Sequence, residues 1–307
     1  MNVTSERGKD LRFASIMSAI AFAAVIAVNG LANALPLNGA NTGVLSDEIP
    51  NLFVPAGLTF AIWGLIYLLL AGYVFTVIRE AWAKRGVAGS PASVGASAWT
   101  GRDAALFLTN MAANAAWIFA WHWRQVGLAM FIMLVILGTL IALELGSQRK
   151  LAPGGALAKP AKSSKGIREA LAGAAAPSSP PAPISPARRF FLTAPLRVYL
   201  GWISVATIAN ATAVLVKAGW NGFGVDPRVW TVIVIVAGLA VALGFSIAKR
   251  QFAAPLVVIW AYAGIVLKRA QVDAAYSAPV WIAAGLAALV ILVSIALAQI
   301  KNPAEAR

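Results

Sequence analysis

The chain has no cysteine and a single histidine, His122, in 307 residues. Disulfides, thiolate metal sites and a cysteine nucleophile are therefore excluded, and one histidine alone makes no multi-histidine metal site. Charge is also scarce: 12% of residues are charged, against roughly 25% in an ordinary globular chain. Of the 11 acidic residues only Glu144 falls inside a long apolar run, near its inner end, where it is expected to reach water. Proton-driven transporters keep a carboxylate or histidine in mid-membrane, so that class is disfavoured. The chain carries no Walker loop, no HExxH and no GxSxG.

What is present in abundance is apolar surface. Hydrophobic residues make up 60% of the chain, against about 45–50% usually. Runs of about 20 apolar residues, rather than short alternating segments, predict an all-α polytopic bundle. Eight transmembrane helices are expected, at 13–35, 55–78, 103–123, 126–147, 195–216, 229–248, 252–268 and 279–300. Of the 25 Lys and Arg, 20 fall in the termini and alternate loops, while Arg124, Lys217, Arg228, Lys268 and Arg269 fall in the others. The positive-inside rule then places both termini in the cytoplasm. The net charge of +14 reads as topology, not as a nucleic-acid surface.

The first span follows a basic segment and ends in Ala32-Asn33-Ala34, an A-x-A pattern, but it is longer than the ~7–15 residues of a signal h-region and reads as a true span. Residues 36–54 form an outer loop rich in turn formers, with Asp47 and Glu48 and no basic residue. Residues 148–194 read as a flexible, basic, proline-rich cytoplasmic linker, suited to anionic headgroups or to regulatory docking. The chain thus divides into a front four-span block, 1–147, the linker, and a rear four-span block, 195–307.

The stretch from Pro55 to Phe75 organises the reading. Trp63 and Tyr67 share a helix face, and Gly57, Gly64 and Gly72 remove bulk near them so that a neighbouring helix can approach. The rings either pack between helices or line a slot. At ~1.5 Å per residue, Asn29, Trp63, Asn114 and Asn210 all fall roughly 9–13 Å below the outer edge. Their amides either bond between helices or ring a pocket in the outer half. Of the 11 tryptophans, Trp63, Trp117, Trp202 and Trp260 fall well inside, whereas Trp82, Trp99, Trp123, Trp220, Trp230 and Trp281 read as interfacial belt. His122, between Trp121 and Trp123, reads as a belt residue or, more sharply, as a heme ligand or pH gate.

Three motifs in order carry a family resemblance. They are Pro55 with Trp63 and Tyr67, Asn114 with Trp117, and Trp202 with Ala206-Thr207 and Asn210. In these the front five spans resemble the tryptophan-rich sensory protein or translocator protein family, also called the peripheral benzodiazepine receptor family. The family's paired proline is Val54-Pro55 here, its Phe before the Trp is shifted to Phe60, and the linker interrupts a turn that is short in compact members. The resemblance covers 13–147 and 195–217 and leaves three further spans unassigned. It implies a membrane bundle, often a homodimer, with a pocket among the first five helices capped by residues 36–54, and ligands such as porphyrins and sterols.

The function expected is therefore a membrane sensor or regulator that binds a flat hydrophobic ligand, a porphyrin or related tetrapyrrole. The ligand-binding candidates are Trp63, Tyr67, Asn114, Trp117, Trp202, Asn210 and Asn29. No cofactor is required; porphyrin or heme enters as ligand. A permease for a hydrophobic or zwitterionic solute is the rival reading. An enzyme acting on bound porphyrin by light or oxygen chemistry is disfavoured by the lack of an acid–base or metal constellation. The partners expected are membrane lipid, the hydrophobic ligand and a second copy of the chain, with no nucleic acid. The setting expected is a bacterial plasma membrane.

Overall fold

A computed structural model of the chain describes residues 3–82, 99–151, 185–248 and 251–300. Among these are nine α-helices and no strand: α1 Val3–Ala34, α2 Thr42–Asp47, α3 Ile62–Trp82, α4 Gly101–His122, α5 Val126–Leu151, α6 Pro186–Lys217, α7 Pro227–Leu243, α8 Ala253–Val272 and α9 Ala278–Ile300. All but the short α2 are long and apolar enough to cross a bilayer, which gives eight spans. In hydrocarbon a helix satisfies its own backbone, so runs of this length and polarity have no other stable form.

The helix starts obey ordinary capping rules. Thr100 and Asp103 form a reciprocal capping box on α4. Ser185 caps α6 ahead of Pro186, and Asp226 caps α7 ahead of Pro227. Because Ser185 starts α6, the helix begins nine residues before the 195 expected. Those first two and a half turns are amphipathic rather than apolar: Arg188 donates to Glu80 at 2.7 Å and Arg189 to the Leu151 carbonyl at 3.4 Å, while Leu192 is buried. Residues 152–184, the rest of the expected linker, lie outside the described residues.

Five helices close a ring. α1 packs on α3 and α4, α4 on α5, α5 on α6, and α6 back on α3. On its far side α6 also packs on α8, which joins α9 and α7 as a second, three-helix group. Helix α6 is thus a wall common to both. The contact is close because Gly201 has no side chain: a Cβ there would meet the Ala254 backbone, 2.7 Å from its oxygen. Gly264 on α8 likewise lies against Thr59 and Pro55, and its carbonyl accepts the Ala56 N–H at 3.0 Å. Of the three glycines expected to admit a neighbour near Trp63, only Gly72 does so, against Phe191; Gly57 and Gly64 face open space.

The two ends of the bundle differ. Arg12, Lys150 and Arg188 gather at the end that carries the start of α1, and Arg124, Lys217 and Lys268 at the end that carries residues 36–54. At the former, Glu144 does not reach water. It is buried, accepts from Arg197 Nε at 2.7 Å and from Gln148 at 2.9 Å, and ties α5 to α6. Asp103 pairs with Lys150, and Glu80 with Arg188. Removing one partner of a buried pair costs more than the pair contributes, so these three pairs fix register.

Candidate ligand pocket

Beneath the 36–54 segment lies a narrow cavity of about 50 Å3. Three elements build its apolar walls. The turn before α3 brings Pro55 and Phe60, α4 brings Trp117 and Trp121, and α6 brings Trp202, Val205 and Asn210, with Trp63 of α3 closing the side. The rings meet mostly edge to face: Trp63 and Trp202 have centroids 6.3 Å apart at 80°, and Phe60 and Trp202 5.7 Å at 81°. Trp117 and Trp121, one helical turn apart, stack at 5.4 Å and 15°. Such pairs hold each ring in one orientation and leave flat faces between them. Among the described residues no charged side chain lines the cavity.

The roof is α2 and the strand-like stretch after it, which contribute Thr42, Ser46, Ile49 and Asn51. Asn41 caps α2 by accepting the Val44 N–H at 3.0 Å. Asn38 sits left-handed at φ 55, a conformation Asn tolerates, and donates to the His122 carbonyl at 2.8 Å. The roof is tied down all round its rim. Asn51 donates to Thr212 at 2.6 Å, Trp121 to the Thr42 carbonyl at 3.4 Å, Glu48 takes both arms of Arg124 at 2.8 and 2.9 Å, and Asp47 pairs with Lys268. The Arg124 guanidinium holds the Glu48 carboxyl below its ordinary range.

Four of the seven residues singled out from sequence, Trp63, Trp117, Trp202 and Asn210, line this cavity. The other three lie beside it. Tyr67 stacks on Trp63 at 5.5 Å. Asn29 donates to Asn114 at 3.0 Å, and Asn114 donates to the Tyr199 hydroxyl at 2.6 Å, a strap that joins α1, α4 and α6. Asn29 and Asn114 thus bond between helices beside the cavity, whereas Asn210 lies on its wall. Asn210 itself accepts the Trp117 N–H at 3.2 Å and donates to the Ala206 carbonyl at 2.9 Å, so it orients an indole at the wall. Asn110 bonds the Ile136 carbonyl and Thr139, away from the cavity.

Three aromatic expectations are corrected. Trp260 is 41% exposed and donates to the Thr59 carbonyl at 2.9 Å, so it clamps the turn before α3 from outside. Trp99, expected at the interface, is buried at the foot of α4. His122 is not a belt residue: it is wholly buried, its Nδ1 lies 2.7 Å from the Ile118 carbonyl and so carries the proton, and it lines no part of the cavity. Among the described residues the lining has no histidine, cysteine or tyrosine, and Met133 is its one side chain of a type that ligates heme iron. Sequence reasoning missed Phe60, Trp121 and Asn51 as lining; the one available signal was Trp121 at four residues from Trp117, on the same helix face.

Eight helices long and apolar enough to cross a bilayer, with a roofed, indole-walled cavity among the first five, make this a multi-pass integral membrane protein. The family model for TSPO-like proteins matches residues 15–297, and the chain belongs to that family. The match runs through the last three spans, so the family pattern is not confined to the front five as the motifs alone implied. No curated protein and no solved structure matches the chain.

Proposed function

We propose that this protein is a membrane sensor or regulator that binds a flat hydrophobic ligand, a porphyrin or related tetrapyrrole, between the indoles of α3, α4 and α6. The supporting observation is the set of four indoles, Trp63 paired with Trp202 and Trp117 with Trp121, around one roofed, uncharged space. Ligand sites of drug size run about 300–1,000 Å3, and the cavity is about 50 Å3. Binding a ring system therefore requires the roof to lift, and the occupancy of the site is read out as the position of α2. That coupling between ligand and a surface element favours a sensor over a permease. Both termini lie in the cytoplasm of a bacterial plasma membrane, and the working unit is a homodimer.

Titration of the purified protein with a metal-free porphyrin, followed by the shift of the porphyrin absorption band, tests this. Trp202→Ala and Trp63→Ala each weaken binding several-fold through lost ring contact. Unchanged affinity in both variants overturns the site. Ion-gradient-dependent uptake of the porphyrin into vesicles instead makes the protein a permease.

A further inference from the structure

A second cavity, about 170 Å3, lies beside the roof and opens at its rim. Its walls are apolar except for Glu48, Arg124 and Lys217. Ile49 and Trp121 line both cavities and so form the partition between them. The larger space, here the vestibule, adjoins the smaller across these two side chains.

The charges in the vestibule do not balance. Two cations face one carboxylate, which Arg124 grips with both arms. Lys217, the last residue of α6, is exposed and has no carboxylate within ion-pair distance among the described residues. Arg124 also occupies a position that plain stability would give to glycine or asparagine. It follows the end of α4 at φ 57, in the left-handed region, with its N–H on the Trp121 carbonyl at 2.9 Å. A long side chain there carries a backbone cost that a terminator glycine avoids. The Arg124–Glu48 pair is about two-fifths exposed on both sides, so water competes for it and another carboxylate can replace Glu48.

We propose that the vestibule is an anion subsite for a flat apolar carboxylate, in which the ligand's carboxylate takes the place of Glu48 on Arg124, reaches Lys217, and leads the apolar body past Ile49 and Trp121 into the indole cavity. Glu48 is then the resident stand-in for the ligand's acid group. Its displacement removes the tie of the roof to the α4–α5 turn, so binding and roof opening are one event. This inference rests on the indole cavity being a ligand site.

The test uses the full chain in nanodiscs of phosphatidylcholine, with 1-pyrenebutyrate and its neutral amide as a matched pair and tryptophan-to-pyrene energy transfer as the readout. The acid binds about tenfold more tightly than the amide, as a charge-assisted pair to arginine allows. The acid-to-amide ratio falls to about one in Arg124→Gln with Lys217→Gln. Lys217→Gln alone, at an exposed helix end, lowers it several-fold, which keeps the test decisive if the Arg124 change disturbs the turn. Glu48→Gln raises the ratio, because the competing carboxylate is gone. Equal binding of acid and amide to the unaltered protein, or a ratio lowered by Glu48→Gln, overturns the subsite and leaves the indole cavity standing. Failure of both probes to bind overturns the cavity and the subsite together. If adding phosphatidylglycerol to the disc abolishes the acid's advantage, a lipid headgroup is the occupant and the carboxylate assignment falls.

Discussion

Helix α6 separates two regions that are held together by different means. On one side the ring that α1, α3, α4 and α5 form with it is tied by buried amides, a phenol, an indole N–H and ion pairs: Asn29 to Asn114 to Tyr199, Trp117 to Asn210, Glu144 to Arg197. On the other side α7, α8 and α9 contain no asparagine and pack mostly by shape, with Ile235, Ala242, Ala261, Val280, Ala284 and Ile291 wholly buried and with hydrogen bonds from Tyr262 to the Ile235 carbonyl and between Ser246 and Ser294. Lipid tails are as apolar as Leu, so helices in a bilayer gain little by merely hiding from the solvent. They associate through close fit or through hydrogen bonds. The front region spends its polar groups on a hollow structure, which shape alone does not hold open. The rear helices line neither cavity, and their contacts reach forward: α8 receives the Ala56 N–H, Trp260 holds Thr59, and Lys268 holds Asp47. Helix α8 therefore buttresses the turn that carries Pro55 and Phe60, and it lies within the residues that the family model matches.

The sharpest way to break this arrangement is at the common wall. Gly201→Leu drives a side chain into the Ala254 backbone, where even a Cβ would lie 2.7 Å from the oxygen. Neither helix can yield without moving its group, and overpacking of this kind costs roughly 1–3 kcal/mol or more. Gly64→Leu on α3 meets nothing within 4 Å and is near neutral. Thermal unfolding of the two variants in detergent should separate them clearly. Equal loss in both would remove the α6–α8 contact from the account.

Next comes the polar strap of the front region. Asn114→Leu leaves the Tyr199 hydroxyl without its buried donor and Asn29 with only its bond to the Val25 carbonyl within α1. Bonds of this type between membrane helices contribute about 0.6–2 kcal/mol. The rear counterpart is Tyr262→Phe, which removes the hydroxyl that donates to the Ile235 carbonyl at 2.6 Å but keeps the ring in its slot against Gly238. Because the rear is held by fit, Tyr262→Phe should cost less than Asn114→Leu in the same unfolding measurement. The reverse order would contradict the comparison.

These contrasts also mark what could be read from the chain itself. The eight spans stand out because long apolar runs are set off by charge and proline, as at Arg102, Arg124 with Gln125, and Pro227. The first residues of α6 do not, since Arg188 and Arg189 hide a helix whose charges are satisfied by Glu80 and the end of α5. Depth along a span was legible, which is why Trp63, Trp202 and Asn210 converge. Rotation about each helix axis was not. Asn114 and Trp117 are three residues apart on α4, yet one bonds α1 and α6 while the other faces the cavity. Trp260 has the depth of a pocket residue and the wrong azimuth. His122 and Trp99 sit at span ends and read as interfacial because nothing local announces that other segments fold over them, such as Asn38 reaching the His122 carbonyl.

Trp260 permits a smaller test of the same point. Trp260→Phe keeps most of the ring and deletes the N–H that holds the Thr59 carbonyl. It should lower stability by about 1 kcal/mol, the typical net worth of one hydrogen bond. Porphyrin affinity should change far less than in Trp202→Ala, since Trp260 does not line the cavity. Parallel titrations of the two variants decide it; an equal loss of affinity would bring Trp260 into the site.

The smallest effect distinguishes the two anchors of α2, one to the front region through Glu48 and Arg124, the other to the rear through Asp47 and Lys268. The Arg124 hydrogen bond is the first cause of the lowered Glu48 value, with the charges of Arg124 and Lys217 adding to it and partial desolvation opposing it. A carboxyl held lower in the folded chain than in the unfolded chain contributes its full share above the ordinary value of 4.5, and loses that share as pH falls through the lowered one. Arginine stays charged throughout, so only the carboxylate titrates. Amide exchange over 42–48, corrected for its intrinsic rate, should therefore quicken modestly on the acid side of 4.5 and level off once Glu48 is protonated. Glu48→Gln should show the quicker exchange already at neutral pH and lose the acid step, because the front anchor is then absent at every pH. An acid step that survives in that variant would remove Glu48 as its source.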